Sequence, residues 1–368
     1  MEKKPFMNSF VIEEDMQDIC RRNDVWQRLR HQTVLITGAA GMLASYAVFF
    51  LLYLNEFHGA DIHIVAQVRN GEKARRRFGK YVQKEYFSLV QHDLCEPWTW
   101  DGDLDYIIHA AGLASPQYYA TVPVEVAEPN AIGTYYLLQL AREKDVKGFL
   151  FFSSGDVYGK FCTPVEEIRE EDFGSLNPLE LHSCYGESKR MAETWCRLFF
   201  VEHGVPAKIA RIAHTYAPTM DVANDPRVFS SFMKCVQKGE DIVMHSDGSA
   251  CRPFCYIADA TAAFFLVLLQ GKAGEAYNVA NDEAFLSIYD LAELMVGLRP
   301  ELGLNVICEK RKNGDYLEDK VNHANRPVAD KLRMLGWQCR YDAREGFGRV
   351  WRCLQEGDEE RALQRQGF

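Results

Sequence analysis

A run of β-branched and apolar residues, Val34–Thr37, ends directly in Gly38-Ala39-Ala40-Gly41 and passes without a break into the apolar stretch Met42–Leu54. Strand, glycine turn and helix in immediate succession describe the first unit of a parallel α/β sheet. Gly38 permits the tight turn, Gly41 lets backbone N–H groups approach a diphosphate, and the start of the helix adds a partial positive charge. Ala44 takes the third small position and lets the helix pack closely on the strand. The turn predicts a dinucleotide held over Gly38, Ala40, Gly41 and Met42, with a purely structural turn as the alternative. At 13 residues, Met42–Leu54 is shorter than the roughly 20 that a membrane-spanning helix requires, so it reads as a buried helix.

The same rhythm continues downstream. Ile62–Val68, Phe87–Val90, Tyr106–His109, Phe149–Ser153 and Lys208–Ile212 read as further strands, and Met42–Phe57, Pro123–Glu143 and Tyr185–His203 as helices. This alternation predicts an α/β fold, a Rossmann-type doubly wound parallel sheet covered on both faces. We expect a dinucleotide-binding domain over residues 31–212. After Ile212 the pattern loosens into Pro-, Asp- and Gly-rich loops, with helical patterns at Tyr289–Leu298 and Ala343–Leu354. Residues 213–368 should form mainly a smaller substrate-binding lobe, interleaved with the first domain. Residues 1–30 read as a helical extension with Ile12, Met16, Ile19 and Trp26 on one face.

With 42 Lys and Arg against 52 Asp and Glu the net charge is −10, and no basic run exceeds Arg75-Arg76-Arg77. Nucleic acid is not expected as a partner, because its affinity comes from neutralised phosphates. A small anion held by a few local donors remains compatible with this charge. The eleven cysteines are scattered and form no Cys-x-x-Cys pair, as in a reduced cytoplasmic protein. Met1–Asp15 mixes Lys3, Lys4, Glu13 and Glu14 without the apolar segment of a secretory signal. His58, His63, His92, His182 and His203 lack partners at ligand spacing, so no metal is expected.

The end of the second strand normally distinguishes NAD from NADP, since an acidic residue there binds the ribose 2′-OH. Here Gln67-Val68-Arg69-Asn70 offers no carboxylate. Arg69 therefore keeps NADP open beside NAD, unless it is only a solvated loop residue. Asp93, followed by Leu94, is placed to meet the adenine amino group, and Ala110-Ala111-Gly112 leaves room for the cofactor. Further on, Ser153-Ser154-Gly155-Asp156-Val157-Tyr158 closes a strand and Tyr185-Gly186-Glu187-Ser188-Lys189 opens a helix. Tyr185 and Lys189 at i, i+4 share a face, so the lysine charge should lower the phenol pKa and make the tyrosine a general base.

Several further segments carry a resemblance: Ala114-Ser115-Pro116-Gln117-Tyr118-Tyr119, Asn130-Ala131-Ile132-Gly133-Thr134, Asn177-Pro178, Ser183-Cys184-Tyr185, Lys189-Arg190-Met191-Ala192-Glu193-Thr194 and Arg252-Pro253-Phe254-Cys255-Tyr256-Ile257. On them, residues 31–338 resemble the extended short-chain dehydrogenase/reductase superfamily of NAD-dependent epimerases and dehydratases. Within it they look most like the UDP-glucuronate decarboxylase (UDP-xylose synthase) branch. The resemblance implies NAD as cofactor and a nucleotide sugar as substrate, oxidised transiently at C4. Tyr185 would take the 4-OH proton, Ser154 would bond the same oxygen, Lys189 would hold the tyrosine and the nicotinamide ribose, and Asp156 would supply a carboxylate. Ser115, His214, Arg227 and Arg252 would face the substrate, although Arg252 could instead bridge the lobes as an ion pair. A homodimer through the helices near 123–143 and 185–203 is also implied.

Departures from the family pattern narrow the chemistry. Gly155-Asp156 stands where 4,6-dehydratases carry Asp-Glu and decarboxylases carry Ser-Glu, so Gly155 supplies no acid to protonate a leaving 6-hydroxyl, while Asp156 keeps a carboxylate one methylene shorter than Glu. His214 replaces the usual Asn, and Ala217 the usual Gly. A C4 epimerase, an NADPH-dependent reductase of a nucleotide-linked sugar and a non-catalytic NAD(P)-sensing scaffold are the competing readings.

Overall fold

In a computed structural model, residues 5–163, 165–309 and 326–365 are described, with side chains of the last segment described through Gly357. Five strands build the first half of the main sheet: β1 (Thr33–Thr37), β2 (His63–Val68), β3 (Phe87–Gln91), β4 (Tyr106–His109) and β5 (Gly148–Ser154). After the two-residue β6 (Glu167–Ile168), β7 (Ala207–Ile212) joins the same sheet. Short strands β8 (His214–Tyr216), β9 (Ile242–Met244) and β10 (Cys251–Tyr256) precede β11 (Ala276–Val279), and β12 (Phe285–Ser287) follows. The main sheet has seven parallel strands in the order β11-β7-β5-β4-β1-β2-β3. A second, three-stranded sheet runs β12-β10-β8.

The helices are α1 (Phe10–Arg22), α2 (Met42–His58), α3 (Gly71–Phe78), α4 (Pro116–Thr121), α5 (Pro123–Glu128), α6 (Thr134–Glu143) and α7 (Ser183–His203), then α8 (Val228–Lys238), α9 (Ile257–Gln270), α10 (Ile288–Val296), α11 (Asp330–Arg333) and α12 (Ala343–Arg365). All six strands read from the sequence lie in the main sheet. The seventh, β11, pairs with β7 from Ala276↔Ile209 to Val279↔Ile212 and brings residues beyond position 212 back to the sheet edge. It is only four residues long and carries a polar residue at its centre. Buried Asn278 accepts from Tyr158 Oη at 2.5 Å and donates to Ile168 O and Val328 O.

The helix expected over Pro123–Glu143 is interrupted. Between α5 and α6 the chain makes a π-turn at Pro129–Gly133 while keeping helical dihedrals at its flanks. Pro129 has no N–H to donate, and a wider turn absorbs the missing bond. The turn carries buried Asn130, whose Nδ2 donates to Val126 O at 2.9 Å and Ser188 Oγ at 3.1 Å on α7.

Residues Ala44 to Leu54 of α2 are all buried, as are Ile257 to Leu269 of α9. Helices apolar on every face must be covered on every face. The sheet covers one side, the two helices cover each other, with Phe50 and Phe265 ring centroids 4.9 Å apart, and α1 packs against both. Ser9 caps α1 by accepting the Ile12 N–H at 3.3 Å, and Ile12, Met16, Ile19 and Trp26 all reach the core. Each such side chain contributes roughly 1.5–3 kcal/mol on burial. The amphipathic stripe of the extension thus completes the main core.

One carboxylate is buried in that interface. Asp15 accepts from Tyr46 Oη at 2.9 Å, Tyr256 Oη at 2.6 Å and Arg349 Nη2 at 2.6 Å, joining α1 to α2, β10 and α12. Burial pushes its pKa up from 3.8 to about 6, against the opposing pull of Arg349 and the two phenols. The folded state therefore holds this proton more tightly than the unfolded chain, and the linked stability is largest below the unfolded pKa and lost as pH rises through about 6. The difference in melting temperature between the native chain and Asp15→Asn should accordingly shift in favour of the native chain as the pH falls from about 7.5 to about 5. A pH-independent difference would show that Asp15 does not titrate in this range.

A second pair, largely but not fully withdrawn from solvent, fixes α7. Glu193 accepts from Ser153 Oγ at 2.6 Å and from Arg211 Nε at 3.0 Å and Nη2 at 2.8 Å, linking α7 to β5 and β7. Removing one partner of a buried ion pair leaves an uncompensated charge and costs about 3–5 kcal/mol. Urea unfolding of Glu193→Ala should show a loss of that size, with Glu193→Asp recovering part of it.

Candidate active site

The glycine turn has the geometry its sequence requires. Gly38 adopts φ +60°, and a Cβ there would stand 2.7 Å from Ala111 Cα. Its N–H donates to Gln67 Oε1 at 3.0 Å, while Gln67 Nε2 donates to His92 O at 2.6 Å, so one buried glutamine ties together the ends of three adjacent strands. Gly41 begins α2 and donates to Gly38 O at 2.8 Å. At the carboxyl ends of β1–β4 lies a cavity of about 430 Å³ lined by Gly38, Ala40, Gly41, Arg69, Asp93, Leu94, Ala110, Ala111 and Gly112. Of the expected cofactor residues, Met42, Tyr185 and Lys189 do not line it. Tyr185 and Lys189 stand beside it on α7, and Met42 faces elsewhere. Its carbonyl accepts from Thr219 at 3.2 Å and its sulfur faces Arg227 at 3.5 Å, so it points toward the 219–227 segment.

Arg69 is exposed at the cavity, 3.8 Å from Glu125, and Lys73 lines the same region. The Asp93 carboxyl is held below its usual range chiefly by the Cys95 backbone N–H, which it accepts at 3.0 Å. Two observations test the fit of a dinucleotide. A Cβ on Gly112 would fill the cradle, 3.0 Å from Asn130 Oδ1 and 3.7 Å from Lys189 Nζ. Asn130 Oδ1 and Ser115 Oγ are buried with no hydrogen-bond partner among the described residues. The cradle, the helix start and the open Asn130 Oδ1 beside Gly112 fit a dinucleotide such as NAD, which Gly38, Gly41, Asp93 and Gly112 would hold.

Beside this cavity, β5 delivers Ser154 and the turn Gly155–Tyr158, in which Asp156 N–H donates to Ser154 Oγ at 3.2 Å. Tyr185 and Lys189 lie on one face of α7, both buried. Lys189 Nζ donates to Phe152 O at 2.7 Å and stands 5.6 Å from the Tyr185 ring centroid. The expected depression of the phenol pKa is not what the protein chain alone produces. Burial, followed by the Asp156 charge, pushes Tyr185 up, with the Ser154 hydrogen bond and Arg227 opposing. Burial also brings Lys189 down to about 7, so the lysine is not a full permanent cation at neutral pH. Its pull on the tyrosine is correspondingly reduced.

The remaining candidates come from the second sheet and the loop before α8. His214 on β8 pairs with Phe254 on β10, one strand residue-pair away from Arg252. His214 is open to solvent on β8, but desolvation by the protein around it, then the charges of Arg252 and Arg227, lowers its pKa to about 3, so its imidazole is neutral. The Arg252 guanidinium donates to Cys251 O at 2.7 Å and feels the Asp156 charge, with no ion pair within 4.0 Å among the described residues. Arg227, by contrast, is already held by Asp225 through Nε at 2.9 Å and Nη2 at 2.5 Å. Gln67, Asn130 and Glu193 are the supporting residues that the sequence reading did not single out as site residues. Each is a polar side chain in an apolar setting, and only the tertiary partner reveals what it holds.

Comparison with known proteins agrees with this geometry. Residues 34–280 match the model of the NAD dependent epimerase/dehydratase family. The UDP-glucuronic acid decarboxylase 6 of Arabidopsis thaliana is 30% identical over 318 residues, covering 85% of this chain and 86% of that protein. Among solved structures, an epimerase from Methanothermobacter thermautotrophicus superposes with a TM-score of 0.76 at 20% identity, over 94% of this chain and 98% of that one. The UDP-glucose 4-epimerase of Thermotoga maritima gives 0.72 at 20% identity, over 89% and 99%.

Gly38→Ala should reduce NAD affinity in titration calorimetry by more than about tenfold, because its Cβ collides with the Ala111 backbone and the residue is held at positive φ. Gly348→Ala, where a Cβ meets nothing within 4 Å, should leave that affinity unchanged.

Proposed function

This chain belongs to the NAD dependent epimerase/dehydratase family, and from that premise we propose that it decarboxylates UDP-glucuronate through a transient 4-ketone. NAD, when bound, accepts the C4 hydride and later returns it. Tyr185 takes the 4-OH proton, and Ser154 donates to the same oxygen. Lys189, anchored on Phe152 O, lies beside the tyrosine. Once C4 is a ketone, the C5–C6 bond pair can flow toward C5 and C4 as CO2 leaves, and C5 is then reprotonated.

The observation that carries this reading is the position of Asp156. Its charge acts on Tyr185, Lys189 and Arg252. The oxidising set and a guanidinium suited to a carboxylate or diphosphate are therefore in one electrostatic neighbourhood. Although Asp156 is open to solvent, desolvation by the surrounding protein holds its pKa above the ordinary value, against the pull of Arg252 and Lys189. A second reading, C4 epimerisation, draws on Gly155. A Cβ there would meet nothing within 4 Å, which leaves room for a ketosugar to turn over.

We read residues 31–212, together with α9 and β11, as the dinucleotide-binding part, and the remainder of 213–368 as the substrate-binding part. A homodimer through α5, α6 and α7 is supported by exposed Val124, Ile132, Leu198 and Val201. A cytoplasmic location is supported by eleven free cysteines. No helix among the described residues is long and apolar enough to cross a membrane.

Mass spectrometry after incubation with UDP-glucuronate should show a product lighter by CO2. Tyr185→Phe should lower kcat by about 10²–10⁴. Turnover of UDP-glucose to its C4 epimer with UDP-glucuronate untouched would establish the second reading instead.

A further inference from the structure

Tyr185 belongs to neither large core. Its ring sits in a satellite cluster with Tyr119 and Val126, walled by α4, α5 and α7. Tyr119 lies flat against it: the ring centroids are 5.2 Å apart and the planes differ by 15°. His182, two residues before the entry-turn Cys184, meets the Tyr119 ring edge-on at 6.2 Å and 83°. Both tyrosines are buried, at 6% and 7% exposure.

We propose that Tyr119 is the positioning residue for the base, acting through its ring face. A tyrosine at the open first turn of a helix has its hydroxyl far from the backbone that anchors it. A stacked ring limits rotation about χ1 and χ2 and excludes water from one whole face of the phenol. Such a stack stabilises the pair beyond its burial alone. A misplacement of about 1 Å at a reacting group can cost on the order of 100-fold in rate, so the stack acts where small displacements matter.

The Tyr119 hydroxyl is not the active part. It donates to Ala114 O at 3.2 Å, the carbonyl just ahead of its own helix, and burial holds the phenol well above its usual pKa. It neither gives up a proton at neutral pH nor points one at the substrate. What it supplies to Tyr185 is a wall. The charged and titratable groups around Tyr185 are Asp156 on the β5 turn, Arg227 before α8, Lys189 and Cys184 on α7, and Tyr119 itself. Of these influences burial is the largest, and it raises the phenol pKa. Removing the wall rehydrates the phenolate and lowers that pKa.

This inference rests on Tyr185 being the base, and the experiment separates the two. The variants are Tyr119→Phe, Tyr119→Leu and Tyr185→Phe in the full chain, each read as kcat, KM and the pH profile of kcat. Tyr119→Phe, which keeps the face and loses only the hydroxyl, should retain kcat within about twofold. Tyr119→Leu should lose at least about fivefold in kcat, the equivalent of about 1 kcal/mol, with KM nearly unchanged and the acid limb displaced to lower pH. Equal losses in both Tyr119 variants, an unmoved acid limb, or a change confined to KM would overturn the proposal, the last by making Tyr119 a substrate contact. A Tyr185→Phe variant with full activity would instead remove the premise. Unchanged melting temperature and NAD affinity in Tyr119→Leu show that its loss is not one of folding.

Discussion

The site depends first on the largely buried contact between Glu193 and Arg211. Helix α7 carries Tyr185 and Lys189, and those side chains are useful only at a fixed depth and rotation against the sheet. Apolar packing alone sets depth loosely, because ridges on one surface find several grooves on another. The carboxylate of Glu193, one turn beyond Lys189, closes that freedom by accepting from β5 through Ser153 and from β7 through Arg211. Arg211 also donates to Glu170 O at 2.8 Å, so the pair ties in the chain that leads toward the α7 entry loop. Arg190 continues the same line, donating to Val157 O and Gly174 O. A buried pair adds little net stability against an apolar alternative. Its contribution here is register, which the reacting groups require.

The cofactor half is organised differently, by apolar contact and backbone geometry. Helix α2 presents its N-terminus to the cavity and is buried along most of its length. Its covering helices are α9, far along the chain, and α1, at the beginning. The glycine turn is thus positioned by residues that never approach the cofactor. This gives a physical role to the N-terminal extension, which lies ahead of the first strand and outside the family match. The Asp15 cluster adds direction to that packing, since only one docking of α1 satisfies Tyr46, Tyr256 and Arg349 at once.

Much of this was legible in the sequence where the signal was contiguous. The first strand, turn and helix follow one another within about two dozen residues, and each carries its own local physics. The i, i+4 pair of Tyr185 and Lys189 is equally local. The extension was readable as an amphipathic helix, but not its destination, because a stripe reveals a face and not a partner. Strand β11 escaped notice since four residues with Asn278 among them lack a periodic pattern. The π-turn was hidden for a related reason: Pro129 signals an interruption, yet which hydrogen-bond pattern repairs it depends on the neighbouring helix. The phenol shift was misjudged because sequence spacing supplies the lysine charge but not the burial that weakens it. Arg227 is the instructive case on the substrate side. Its partner Asp225 stands two positions away, and the pairing could have been read locally.

His214 shows how a departure from family pattern can preserve the chemistry. A histidine in place of an amide would ordinarily add a titratable cation to the site. The side chain is open to solvent, yet the surrounding protein and the charges of Arg252 and Arg227 disfavour the protonated form down to about pH 3. At physiological pH the ring is therefore neutral, with one nitrogen donating and one accepting. A carboxamide offers the same pair of functions. The substitution keeps hydrogen-bonding capacity and changes reach and shape. An anionic ligand set between the two guanidinium groups would partly cancel their field and favour the imidazolium.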